Sequence, residues 1–429
     1  MTKQASFYGL RRIFFLFISN LLFIPSCVHA ENEHLKFYGF IRNDLFLDSY
    51  KGIDGAHEQI YLLPVFNGID AKGDDINEQW SANMTAIATR MGLTVSGPEL
   101  LGAATNANIE VDFGGIIGSE PSLLRIRKAF TQFNWKSASL LLGQDWHPFW
   151  GGDIFPTVAS LNTGAPFQPF NRAPQICFTY HSGSFNWLAA ALYQLQYTSP
   201  ALNSSHQSTA NQAKRNGVLP ELATGLEYRK NQLVWGGGMS YNRTKPKMTF
   251  ESPYQQLFKS ESMLNSFSYN AYFQYKTENL KVQIKGILGQ NLKHLLLPGG
   301  YGVRAIEQAT GAESYTNYNN IVAYINLVYG INWQFGLFAG SGKNLGTSHS
   351  LADTGGGEAL SAGFFTNVQQ YHRFAPHIAY NVSKLRLMLE FEGTLANYGL
   401  GKINLNNGLY NEHHLAVNKR MVFVMLYMF

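Results

Sequence analysis

Apolar and polar residues alternate along this chain in segments of about ten residues, the length a transmembrane strand needs. In the first segment Leu35, Phe37, Ile41, Leu45 and Leu47 share one face, and Lys36, Arg42, Asp44 and Asp48 share the other. A second sets Ala107, Ile109, Val111 and Phe113 against Asn108, Glu110 and Asp112. A period of two marks strands whose faces meet different surroundings. It predicts sixteen strands, over 35–48, 83–96, 107–114, 123–134, 138–146, 175–182, 185–197, 221–230, 232–243, 265–276, 280–290, 317–329, 331–341, 369–381, 385–398 and 414–429. Short turns fall at about 135–137, 182–184, 230–232, 276–279, 330–332 and 382–384. Long polar connections fall at about 49–82, 147–174, 199–219, 244–264, 292–316, 342–367 and 399–413. A soluble sandwich shares the period of two. The alternation of short periplasmic turns with long extracellular loops belongs to membrane barrels. The expected fold is therefore all-β, a transmembrane antiparallel β-barrel of about 16 strands. An even count puts both ends of the chain on the periplasmic side.

The same alternation assigns faces, apolar to lipid and polar to the lumen. Ile87, Met91, Leu93 and Val95 go outward, so Arg90 points in; Glu110 and Asp112 point in. Leu124, Ile126 and Phe130 go outward, so Arg125 and Arg127 point in. Phe374, Ile378, Tyr380 and Val382 put Arg373 and His377 inside, and Leu385, Leu387, Leu389 and Phe391 do the same for Arg386, Glu390 and Glu392. An Arg facing lipid at the midplane would cost ~2–4 kcal/mol, which is why the charges keep to one parity. Lys128 is the misfit, with the parity of Leu124 and Ile126. Snorkelling at the interface and contact with a neighbouring subunit both remain open for it. Rows of arginine beside rows of carboxylate suggest a water-filled pore with a transverse field and a preference for anionic solutes. The alternative is that these residues pair as salt bridges within the wall.

The ends of the chain fit this picture. Met421, Phe423, Met425, Tyr427 and Phe429 share a face, and the sequence stops on the aromatic. That is the form of C-terminal strand read by the outer-membrane assembly machinery. At the other end Lys3, Arg11 and Arg12 precede the apolar run Ile13 to Ile24, and Val28 and Ala30 stand at the −3 and −1 positions of a cleavage site. Residues 1–30 read as a cleaved signal peptide, and 31–429 as one barrel domain. A lipoprotein with Cys27 as the lipidated residue is the alternative, but Ile24-Pro25-Ser26 fits that pattern poorly.

Composition narrows the class. Charged residues make up 14%, against ~25% for soluble chains. Aromatic residues also make up 14%, yet no apolar run of membrane-helix length follows residue 30. Removing residues 1–30 takes away three positive charges and lowers the net charge from +5 to +2, too little to argue for nucleic acid. Only Cys177 would then remain, so no intrachain disulfide is expected.

One connection differs from the rest. Residues 147–174 are rich in aromatics, Gly and Pro, and so long an apolar loop is poorly placed in open water. Folding into the barrel would make it a constriction, with Asp153 and Arg172 as its polar residues; subunit packing is the alternative. The triplet Gly355-Gly356-Gly357 has no following Lys or helix and reads as a loop tip rather than a phosphate cradle. No catalytic, cofactor or metal site is expected. The histidines are scattered; His413 and His414 fall in a loop, and His372 has lipid-side parity without an evident Ser. A surface adhesin or receptor using the long loops is the remaining rival.

An ordered set of motifs resembles the DcaP-like family of trimeric porins. It comprises Lys36-Phe37-Tyr38-Gly39-Phe40-Ile41-Arg42, Thr89-Arg90-Met91-Gly92-Leu93, Glu110-Val111-Asp112-Phe113 and Leu124-Arg125-Ile126-Arg127-Lys128-Ala129-Phe130, followed by Leu142-Gly143-Gln144-Asp145-Trp146 and Arg172-Ala173-Pro174-Gln175. The set covers roughly the first half of the chain after residue 30. The resemblance implies a homotrimer, sixteen strands per subunit and an inward-folded third loop. It further implies passage of small hydrophilic, often negatively charged molecules such as dicarboxylates, with Arg90, Arg125, Arg127 and Arg172 lining the pore. The partners it implies are membrane lipid, lipopolysaccharide and the assembly machinery, and the place is the outer membrane of a Gram-negative bacterium. Between Trp146 and Arg172 the sequence departs from the family, so the solute does not follow from the resemblance.

Overall fold

The computed structural model describes residues 34–55, 60–117, 120–201 and 212–429. The signal segment 1–30, its cleavage site and Cys27 lie outside the described residues.

Sixteen antiparallel strands form the wall. They are β1 (His34–Asp48), β2 in two pieces (Ser81–Thr85 and Arg90–Ser96), β3 (Ala104–Ile117), β4 (Glu120–Asn134), β5 (Ala138–Trp146), β6 (Arg172–Ser182), β7 (Phe185–Leu192) and β8 (Glu221–Lys230). The second half comprises β9 (Leu233–Thr244), β10 (Leu264–Lys276), β11 (Leu280–Gln290), β12 (Glu313–Gly330), β13 (Trp333–Thr347), β14 (Val368–Val382), β15 (Leu385–Asn404) and β16 (Leu409–Met428). Each pairs with its neighbours in sequence, and β1 pairs with β16 from Phe40 opposite Met428 to Asp48 opposite Arg420. That pairing closes the barrel and leaves no bare edge, which a sheet in lipid cannot tolerate. Phe429 completes the closure: its N–H donates to Gly39 O at 3.1 Å, and its ring stacks on Phe37 at 5.5 Å.

The expected short turns are where the alternation put them. Gly183, Asn231 and Ser383 each adopt positive φ, as tight two-residue hairpin turns require. The last long loop is corrected. Instead of about 399–413 the connection is only 405–408, because the β15–β16 ladder runs on from Tyr398 opposite His414 to Asn404 opposite Leu409. Beyond the lipid a strand need not alternate apolar with polar, so the sequence pattern stops before the hydrogen bonds do. His413 and His414 consequently belong to β16, not to a loop.

The outward face carries the apolar band. Leu35, Phe37, Ile41 and Leu45 of β1 are exposed, as are Phe423, Met425 and Tyr427 of β16. Near the short-turn end aromatic residues pair across strands, Tyr228 with Trp235 at 5.5 Å and Trp333 with Tyr380 at 4.6 Å. Such rings belong at the membrane–water boundary.

Two bulges reset the parity. In β1 three residues separate Phe40 and Asp44, but four separate their partners Arg90 and Thr85. Outward residues are therefore even-numbered in the first piece of β2 (Met84) and odd-numbered in the second (Met91, Leu93, Val95). Ile87 falls in the interruption rather than in a lipid-facing row. In β4 Lys128 stands opposite Glu110 while Ile126 stands opposite Val111, so Arg127 is the extra residue. The inserted residue flips the strand. Lys128 thus joins the inward side, and Phe130, opposite inward Asn108, faces in rather than out. Neither snorkelling nor a neighbouring subunit is needed to place Lys128.

Deleting one residue from 86–89 should remove the bulge and make β2 a regular strand, with Thr85 and Arg90 both still facing in. Replacing outward Leu93 by Arg puts a guanidinium on the lipid side instead, at an expected cost of ~2–4 kcal/mol. The check is the fraction of heat-modifiable band after folding into phospholipid vesicles, which should stay near the wild-type value in the deletion and fall sharply in Leu93→Arg.

Candidate functional site

The loop after β5, loop 3 (residues 147–171), lies inside the barrel and crosses it. A chain buried this way must find partners for its backbone N–H and C=O groups, and inward side chains of distant strands supply them. Lys285 of β11 donates to Phe149 O, Trp150 O and Ile154 O at 3.2, 2.7 and 3.0 Å. Asn326 of β12 accepts from Thr157 N at 2.8 Å and donates to Thr157 O at 3.1 Å. Glu390 of β15 accepts from Ala159 N and Ser160 N at 2.8 and 3.2 Å. Arg42 of β1 donates to Ala159 O at 2.6 Å, and Arg373 of β14 to Ala165 O at 2.8 Å. The apolar side chains of the loop pack into the interior; Phe167 meets Phe338 and Tyr371 at 5.9 and 5.1 Å between centroids. Trp146 and Trp150 stack at 3.9 Å.

Loop 1 (residues 49–80) enters as well, against its expectation as a polar surface loop. Its strand Ile60–Pro64 is buried throughout. Arg373 donates to Leu62 O at 2.6 Å, Tyr398 to Pro64 O at 2.7 Å, and Asn162 of loop 3 to Tyr61 O at 2.9 Å. The apolar run Ile60-Tyr61-Leu62-Leu63-Pro64-Val65-Phe66 was the legible signal.

Opposite loop 3, the wall of β2–β5 presents the charges. Arg127 lies between Glu110 and Asp112, 2.7 Å from each. Arg125 pairs with Asp112 at 2.7 Å, Arg90 approaches Glu110 at 3.7 Å, and Lys128 pairs with Asp145 at 3.0 Å. Arg90, Arg125, Arg127 and Lys128 line a cavity of about 250 Å³ whose far side is Ile60, Trp150, Phe155, Leu161 and Phe170. Four cations here meet three carboxylates. A fifth cation, Arg172, sits behind the rings, 4.8 Å from Trp146 and 5.6 Å from Phe170. It is 1% exposed, donates through Nε to Gln196 at 3.0 Å, and its two terminal nitrogens have no hydrogen-bond partner among the described residues.

Below the loop lies a second cavity of about 220 Å³, bordered by Asn186, Glu227, Arg229, Asn270 and Tyr272. Gly152 borders both cavities. Gly151 and Gly152 turn at φ 80° and 59°, which glycine permits without strain. Beside this turn Asp153 pairs with Arg229 at 2.7 Å. Burial disfavours the Asp153 carboxylate, but the Arg229 hydrogen bond and charge outweigh it and hold its pKa below the ordinary range.

The expected site residues therefore separate into groups. Arg90, Glu110, Asp112, Arg125 and Arg127 come together at the constriction, as an ion-paired lattice rather than as free rings. Asp153 and Arg172, expected as the polar residues of the constriction, are apart: the first pairs with Arg229, and the second is buried behind Trp146. Arg373 and Glu390 anchor loops rather than form a charged ring; Glu392 pairs with Arg373 at 3.1 Å, and Glu390 is fully buried under loop 3. Arg386 is half-buried and donates to Asn381 at 2.9 Å. Lys281, Lys285 and Asn326 were missed. Their inward parity, against Val282, Ile284 and Leu288 on β11 and against Ile325 and Leu327 on β12, was the available signal.

For a hydrolase, His372 does face outward with Ser341 opposite it. No hydrogen bond joins the two, and the neighbours Gln370, Phe374, Lys343 and Leu395 include no carboxylate to orient the ring. No helix among the described residues is long and apolar enough to cross a membrane.

A closed sixteen-stranded barrel with an apolar outer band and a long loop laid across a charged interior has the architecture of a constricted outer-membrane porin. Solved structures share the barrel fold. The outer membrane channel DcaP of Acinetobacter baumannii is similar at 15% identity and a TM-score of 0.63, over 93% of this chain and 98% of that one. OmpT of Vibrio cholerae is similar at 10% identity and 0.54, over 94% and 99%. OmpF of Salmonella typhi, in complex with daunomycin, is similar at 10% and 0.50, over 92% and 97%. At such identities the likeness establishes the fold. No protein-family profile and no curated protein sequence matches the chain.

Replacing Lys285 by Met should free loop 3 by removing three hydrogen bonds, each worth about 0.5–1.5 kcal/mol net. The near-UV circular dichroism of the Trp146–Trp150 stack should weaken, and single-channel current noise should rise several-fold.

Proposed function

We propose that this protein is an outer-membrane diffusion channel of Gram-negative bacteria, with a preference for small hydrophilic anions. The observation that carries the proposal is the constriction, where loop 3 narrows the interior beside a wall holding more cations than carboxylates. A solute crossing there passes Arg90, Arg125, Arg127 and Lys128 on one side and the rings of Trp150, Phe155 and Phe170 on the other. In a narrow, partly desolvated space a small excess of positive charge raises the local anion concentration and sets selectivity. Carboxylate partners keep the arginines extended and ordered while cancelling part of their charge, so the preference is moderate.

In the same proposal the chain is secreted by a cleaved signal at residues 1–30, assembled through the strand ending at Phe429, and set among lipid and lipopolysaccharide as a homotrimer. The trimer form of OmpT of Vibrio cholerae and the resemblance to trimeric porins support that assembly. The channel works by diffusion and not by catalysis, because the inward polar groups form ion pairs and loop anchors rather than a nucleophile, base and oxyanion site.

Stepwise conductance in planar bilayers, with permeability to chloride above that to potassium, is the expected result. Arg125→Gln with Arg127→Gln should lower the chloride-to-potassium ratio severalfold, and Asp112→Asn should raise it. A folded, heat-modifiable barrel without conductance would overturn the channel reading. An unchanged ratio in both variants would reduce these residues to wall pairs. Liposome swelling over a panel of small acids and sugars then identifies the solute class.

A further inference from the structure

Away from the constriction, three side chains from distant parts of the sequence converge. His147 opens loop 3, Glu221 is the first residue of β8, and His294 lies in the 3-10 turn Leu292–Leu295 of loop 6 (residues 291–312). His147 Nε2 and His294 Nε2 lie 3.0 and 3.2 Å from Glu221 Oε1. All three ligand atoms fall within 4.8 Å of one another, and the side chains are 0–2% exposed. The Ser240 hydroxyl donates to Glu221 Oε1 at 2.6 Å, whereas Glu221 Oε2 has no hydrogen-bond partner among the described residues.

Hydrogen bonding around the cluster calls for positive charge between His294 and Glu221, which a proton or a metal ion can supply. His294 Nδ1 is 3.3 Å from Asn291 O. A ring nitrogen facing a carbonyl must carry the proton, so in neutral His294 the lone pair of Nε2 points at a carboxylate oxygen. Two lone pairs at 3.2 Å repel unless positive charge lies between them. An Nδ1–H donating to a carbonyl is also how metal-bound histidines are held in orientation. Bonds of about 2.0–2.1 Å around a tetrahedral ion place its donor atoms about 3.3 Å apart, close to the two separations from Glu221 Oε1. Two imidazoles with one carboxylate are a zinc-type donor set, and the free Oε2 offers a further oxygen.

We propose that His147, Glu221 and His294 bind a divalent transition-metal ion of the zinc class, which clips the start of loop 3 and the turn of loop 6 to β8. His147 Nδ1 accepts the Phe149 N–H at 3.1 Å, so without the ion its proton resides on Nε2 and is shared with Glu221. Coordination through Nε2 moves that proton to Nδ1 and breaks the bond to Phe149. Metal binding is thereby coupled to the first turn of the loop, whose Phe149 and Gly152 border the cavity below it. The proposal rests on this local geometry and is independent of the channel reading.

The test uses the full-length barrel, folded in detergent and stripped with a chelator. Zinc should bind at one equivalent per chain by isothermal titration calorimetry, and cobalt(II) should show the intense visible absorption of low-coordinate N/O ligation. Magnesium and calcium should not compete. His294→Gln and Glu221→Gln, each first shown to be heat-modifiable and hence folded, should weaken zinc binding at least as far as the about 10–100-fold lost with an outer-sphere partner. Zinc should raise the temperature at which the folded band is lost in the wild type, but not in His294→Gln. Equal binding in wild type and variants would assign zinc to surface histidines and overturn the proposal, as would wild-type cobalt spectra of the octahedral, aqueous kind. The wild-type spectra decide the matter even where a variant fails to fold.

Discussion

Everything inside this barrel depends on satisfying the backbone of loop 3. A loop of some twenty-five residues (147–171) enters a space walled by lipid-embedded strands, and each unpartnered N–H or C=O there would cost about 1–3 kcal/mol. The wall answers with long or charged side chains: Lys285 to three carbonyls, Glu390 to two amides, Arg42 and Arg373 to one carbonyl each. Made away from water between long polar side chains and the backbone, these bonds fix the loop as a rigid partition. Loop 1 uses the same device, with Arg373 serving Leu62 O and Ala165 O together.

The inward charges thus have two occupations. Lys285 of β11, Arg373 of β14 and Glu390 of β15 hold loops in place. Those of β2–β5 face the remaining space, where Glu110 and Asp112 keep Arg125 and Arg127 in position and leave a modest positive excess. Burying paired charges is costly unless their geometry is good. The contacts of 2.7 Å around Arg127 meet that condition. The aromatic face of loop 3 then makes the passage one-sided, cationic on the wall and apolar on the partition.

Bulges decide which charges reach this space. Without the bulge between Thr85 and Arg90, or the one at Arg127, a regular strand of the same sequence would turn Arg90 or Lys128 to the lipid side. The second bulge brings Arg127 and Lys128, adjacent in sequence, to the same side, which a regular strand forbids.

The barrel itself was written in the sequence. Alternation recovered the sixteen strands, the short turns and the inward parity of Glu110, Asp112, Arg125, Arg373 and Glu390, because the contrast between lipid and lumen is imposed at every second residue. The aromatic composition of 147–174 likewise foretold its departure from water. Tertiary structure alone decided the partners. Whether Arg373 lines a pore or grips a loop, that Asp153 meets Arg229, and that His147, Glu221 and His294 meet at all depend on contacts between residues tens to hundreds of positions apart. Periodicity reports which face a residue occupies, a local property. What lies across the lumen from it is set by barrel closure and by the path of the loops, for which no local pattern exists.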